Sequence, residues 1–118
     1  MSAVMALLGP AALASGRTWG QVRAQILALG AGLGTIDLHS ERAWASNTFT
    51  GSLHAMTLRF EGYEAVAAGE TLRACLPEHE FSIPGQLVAD ASVVRAEHHT
   101  GATPTLTIDL ELLILEHN

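Results

Sequence analysis

Apolar residues recur along this chain with two different periods, and the switches between them mark out its elements. Between Arg17 and Leu29, the residues Trp19, Val22, Ile26 and Leu29 fall three or four positions apart, the spacing of one helix face, and Thr18 can cap the start. Gly30-Ala31-Gly32-Leu33-Gly34 ends that helix, since clustered glycines supply left-handed conformations and propagate a helix poorly. From Thr35 the period becomes two. Ile36, Leu38, Ser40, Arg42 and Trp44 point one way, and Asp37, His39, Glu41 and Ala43 the other. Ser46-Asn47-Thr48 with Thr50-Gly51-Ser52 reads as a hairpin connection. A second strand then sets His54, Met56, Leu58 and Phe60 against Ala55, Thr57, Arg59 and Glu61, and Glu61-Gly62 closes it.

Tyr63 to Leu76 returns to helical spacing, with Val66, Gly69, Leu72, Cys75 and Leu76 in an apolar stripe and Glu64 placed to complement the helix dipole. Pro77 stops it, and Pro77 to Gly85 is a connector ending in a Pro84-Gly85 turn. Gln86 to His98 predicts a third strand with Leu87, Ala89, Ala91 and Val93 on one face, followed by a polar loop to Pro104. The last strand, Thr105 to Glu116, is the clearest: Leu106, Ile108, Leu110, Leu112 and Ile114 alternate with polar residues, as in a strand with one buried face. Short links between successive strands favour antiparallel pairing. The expected fold is α+β, ordered helix-strand-strand-helix-strand-strand, with a four-stranded, largely antiparallel sheet and its helices on one face.

A length of 118 residues predicts one domain spanning the chain. Its first 16 residues carry an apolar stretch from Ala3 to Ala14, and Ala12-Leu13-Ala14 resembles a signal cleavage site. No Lys or Arg precedes the stretch and Gly9-Pro10 interrupts it, so a loosely ordered helical segment is the expectation. No apolar run reaches the ~20 residues that a bilayer-crossing helix needs, and a cytoplasmic location is expected.

Charge narrows the partners. Twelve carboxylates stand against six basic residues, a balance that repels phosphate backbones, so no nucleic-acid partner is expected. The single cysteine, Cys75, forms no intrachain disulfide and is expected to be buried and inert on its helix.

Histidine is the abundant candidate for chemistry: His39, His54, His79, His98, His99 and His117. No His-x3-His or Cys-x2-Cys spacing fixes two zinc ligands locally, and adjacent His98 and His99 would point to opposite faces of a strand. His39-Ser40-Glu41 matches the His-x-Glu half of a nucleobase-deaminase site but lacks the Pro-Cys-x-x-Cys half. The glycine run follows a helix and leads into a strand, the reverse of a phosphate loop. Glu78 and Glu80 flank His79 in what reads as a solvated acidic turn, and no Gly-x-Ser-x-Gly elbow is present. No catalytic residue, cofactor or metal site is expected, and the reading leans away from an enzyme. The remaining features are surfaces. Trp44, Phe49 and Phe81 are candidate interface residues near predicted loops and ends. The alternative is a small-molecule-binding or enzymatic domain that uses the open sheet face, with His39 and His54 as candidate pocket-lining groups.

From Trp44 to Leu115 the chain resembles the small tail-completion (tail-terminator) proteins of siphophages and gene transfer agents. The likeness is carried by His54-Ala55-Met56-Thr57-Leu58-Arg59-Phe60 and Ala65-Val66-Ala67-Ala68-Gly69-Glu70-Thr71-Leu72. It continues through Phe81-Ser82-Ile83-Pro84-Gly85-Gln86-Leu87-Val88 and the closing strand Leu106 to Leu115. The N-terminal third lacks the Pro-Tyr segment that leads into the family's first strand. The resemblance implies a non-enzymatic subunit that assembles with copies of itself into a ring at the end of a tail tube.

Overall fold

The computed structural model describes residues 17–116. The N-terminal segment expected to be loosely helical, and His117, lie outside the described residues. A helix over 17–29 (α1) leads into strands β1 (Thr35–Ala45) and β2 (Thr50–Glu61), then helix α2 (Tyr63–Cys75) with a 3-10 turn at Leu76–Glu78. Strands β3 (Gln86–His99) and β4 (Thr105–Glu116) complete the chain. The sheet order is β1-β2-β4-β3 with every neighbouring pair antiparallel, so the predicted α+β class and element order hold. The last strand inserts between β2 and β3, and α2 carries the chain across it.

One face of the sheet holds the core. Met56, Leu58 and Phe60 from β2 and Leu106, Ile108, Leu110, Leu112 and Ile114 from β4 pack with Val22 and Ile26 of α1. Ala65, Val66 and Leu72 of α2, together with Leu76 and Ile83, close the same cluster. Each large aliphatic side chain buried here contributes about 1.5–3 kcal/mol relative to exposure, which is why both helices lie on this face. The opposite face carries no helix among the described residues, and Leu53, Ala55, Thr57 and Arg59 remain half-exposed there.

The aromatic ring of Phe60 sits in a socket of glycines. A β-carbon at Gly34 would lie 2.6 Å from the ring, one at Gly69 2.8 Å and one at Gly30 2.9 Å. Two members of the glycine run after α1 therefore let the chain pass close over Phe60, besides ending the helix. The ending itself is a double hydrogen bond: Gly32 N–H donates to the Leu27 carbonyl at 2.9 Å and Ala31 N–H to the Ala28 carbonyl at 3.0 Å. Ala31 holds φ 58°, a left-handed conformation that costs a residue with a β-carbon about 1–2 kcal/mol. Replacing Ala31 by glycine is therefore expected to raise stability by about 1 kcal/mol, read as a higher midpoint in urea with an unchanged slope.

The expected faces of two strands are corrected by three bulges. In β1 the register slips between Ile36 and Leu38, leaving Asp37 as the extra residue. Beyond it, His39, Glu41 and Ala43 share the helix-covered side with Ile36, whereas Leu38, Ser40, Arg42 and Trp44 turn to the open side. The Asp37 carboxylate accepts two hydrogen bonds from Arg59 on β2, at 2.9 and 3.1 Å. Those bonds hold its carboxyl below the usual carboxylate range. In β3 the slips fall between Val88 and Asp90 and between Val93 and Arg95. Its core-facing set is therefore Val88, Ala91, Val93 and Ala96, in place of Leu87, Ala89, Ala91 and Val93.

Smaller corrections concern single residues. Thr50, Gly51 and Ser52 belong to β2, paired with Ala45, Trp44 and Ala43, and are not a loop. Thr18 lies inside α1 and is buried. Cys75 is exposed, because α2 buries its Ala65, Val66, Gly69 and Leu72 side. No helix among the described residues is long and apolar enough to cross a membrane.

Candidate functional site: a stacked histidine pair beneath Trp19

Alternation along β2 places Ser52 and His54 on the same side as Met56, and the Asp37 bulge brings His39 of β1 to that side as well. Glu41 stands directly across from His54. The three polar side chains are linked in series: His39 Nε2 lies 2.9 Å from His54 Nδ1, and Ser52 Oγ lies 2.9 Å from His54 Nε2. With both rings neutral, two proton arrangements satisfy every contact, one running from Ser52 toward His39 and one in the reverse direction. His54 is fully buried yet has both ring nitrogens partnered, and no buried side-chain polar atom among the described residues is left without a partner.

Trp19, from the first turns of α1, covers the pair. Its ring lies parallel to His39 at a centroid distance of 3.5 Å and an interplanar angle of 4°, with His54 at 5.8 Å. Burial pushes both imidazoles below their ordinary titration range of about 6.5, while the Glu41 carboxylate pulls weakly upward on each. Each histidine thus favours its neutral form in the folded chain.

Ser52, His54 and His39 have the connectivity of a nucleophile, its base and an orienting group. Acyl transfer also needs a cleft that seats a carbonyl at the serine oxygen. One depression, of about 440 Å³, opens mainly on the other face of the sheet, among Leu38, Ser40, Ala55, Thr57, Val94 and Asp109, with His39 also at its wall. Nor do the described residues bring a third His, Cys, Asp or Glu into position to hold a metal ion with the pair. The arrangement directly supports proton uptake coupled to packing.

Of the two candidate pocket-lining groups, His39 borders the open-face depression, while the rings of both His39 and His54 stack beneath Trp19 of α1. The reason is the bulge, which puts His39 in phase with the core positions. Of the candidate interface residues, Phe49 is half-exposed at the tip of the β1–β2 hairpin, where Ser46 Oγ accepts a hydrogen bond from its N–H at 3.1 Å. Trp44 belongs to the open face, in one row with Gly51, Leu115 and Leu87. Phe81 packs against the core on the helix side, edge-on to His79 at 4.5 Å, so the three residues do not form one patch. Gln25 of α1 fastens that connector by donating to the Ser82 carbonyl at 2.9 Å. Two members of the histidine cluster had weak signals in the sequence. Ser52 lies two residues before His54, hence on its face, and Trp19 heads the apolar stripe of α1.

No protein-family model matches the chain, and no curated protein does. Among solved structures, the chain is similar to one in the "virion of native gene transfer agent (GTA) particle". That likeness has a TM-score of 0.57 and 12% identity, and covers 83% of this chain and 91% of the other. At that identity it shows a shared fold.

Proposed function

We propose that this protein is a non-enzymatic structural subunit of a phage-like or gene-transfer-agent particle, and specifically a tail-completion subunit that assembles with copies of itself. The observation that carries this reading is the fold shared with a chain of a gene-transfer-agent virion over most of both chains. The sequence resemblance between Trp44 and Leu115 supports the same reading independently. So does the open sheet face, where Leu38, Leu87 and Val94 are each at least half exposed and Phe49 projects at the adjoining hairpin tip. Exposed large apolar groups gathered on one side mark interaction surfaces. Assembly on that side would leave the helix-covered core untouched.

The test is light scattering on the purified full chain with electron microscopy of the same sample. Closed rings of defined subunit number are the expected result. A strict monomer at the highest attainable concentration would count against the proposal.

A further inference from the structure

We propose that the Trp19–His39–His54–Ser52 stack is a pH-operated latch, which fastens α1 to β1 and β2 while both imidazoles are neutral and releases it when both are protonated. The geometry sets the order of events. A first proton can be accommodated: doubly protonated His54 donates from Nδ1 to His39 Nε2 and from Nε2 to Ser52 Oγ, across the two 2.9 Å contacts. A second proton cannot. With His39 also protonated, two N–H groups face each other across 2.9 Å and two like charges share a buried site. The contact must open, and Trp19 loses the ring on which it stacks at 3.5 Å.

The surrounding charges leave this step uncompensated. On β1 the group facing the pair is Glu41, whose exposed carboxylate offsets one positive charge at most. Besides His54 itself, β2 presents Ser52 and Met56 on this side, and β4 presents Leu112 opposite His54. On α1 the charged residues flanking Trp19 are Arg17 and Arg23, both exposed and both positive, so they offer no compensating negative charge.

The sign follows from the neutral folded form. The open state takes up protons more readily, so closure is complete above about pH 6.5 and is lost as pH falls through the lower titration range of the folded pair. Each additional proton bound by the open state changes the opening equilibrium about tenfold per pH unit.

The experiment is amide hydrogen exchange on the full chain between about pH 7.5 and 4.5. Exchange at Val22 and Ile26 of α1 is read relative to Ile108 and Leu110 of β4, which cancels the intrinsic pH dependence of exchange. Relative protection of α1 is expected to fall with pH below about 6.5. In His39→Phe, which keeps an aromatic ring against Trp19, opening should take up fewer protons than in the native chain. Titration of the histidine ring signals in the native chain, which does not depend on the variant folding, should place both groups below 6.5. Relative α1 protection that does not change with pH, equal proton uptake in the variant, or ring titration at or above 6.5 would each overturn the latch.

Discussion

Phe60→Ala is expected to destabilise the protein by about 4 kcal/mol, near the upper part of the range for removing a buried aromatic ring. The cost depends on how far the surroundings can collapse into the vacated space. Here the socket is built from Gly30, Gly34 and Gly69, which have no side chains to move inward. Backbone from the α1–β1 turn and from α2 would have to shift instead, and both are held: the turn by its paired hydrogen bonds, α2 by the buried Leu72. The cavity should therefore persist. Thermal unfolding should show a fall in Tm of about 15–20 °C for a domain of this size. A loss below about 1 kcal/mol would mean that the glycines do not frame a rigid socket.

Gly51→Ala should be nearly as damaging, at about 3 kcal/mol, although it adds only one methyl group. A β-carbon at Gly51 would lie 2.0 Å from the Ile114 carbonyl oxygen and 2.9 Å from Leu115 Cα. Both are backbone atoms of β4, so no rotamer change relieves the clash. The pairing of β2 with β4 at this end must open, and with it the contact in which Thr50 Oγ1 donates to Glu116 Oε2 at 3.1 Å. Urea unfolding gives the magnitude, and hydrogen exchange should show protection lost around Gly51–Leu53 and Leu113–Leu115 before it is lost around Leu58 and Ile108. Uniform loss across the sheet would place the strain elsewhere.

The two strands at the centre of the sheet were the most legible from sequence, and for one physical reason. β2 and β4 are regular along their whole shared ladder and bury one face continuously, so Leu58, Phe60, Leu106, Ile108 and Leu110 announce themselves by alternation. β1 and β3 were legible only as strands. The extra residues that reset their phase are Asp37, Ala89 and Val94, and none is a glycine or proline that would betray an irregular backbone. The histidine site inherits that difficulty. His54 alternates in phase with Met56, Leu58 and Phe60 although it was expected beside the open face, His39 reaches the same side through a bulge invisible in composition, and Trp19 arrives from a helix far away in sequence. Gly51 poses a related difficulty: a glycine beside Thr50 and Ser52 suggests a turn, whereas here it permits close approach of the paired β4 backbone.

The bulges also bear on how this molecule avoids the wrong company. All three extra residues sit on β1 and β3, the strands whose outer hydrogen-bonding groups face no neighbour in the sheet order, while the β2–β4 ladder has none. A straight border strand is a template on which other chains polymerise without limit. Kinking both borders discourages that fibre-like growth. It directs any ordered association toward side chains on the faces and at the hairpin tip, where shape and charge can count the copies and close the assembly.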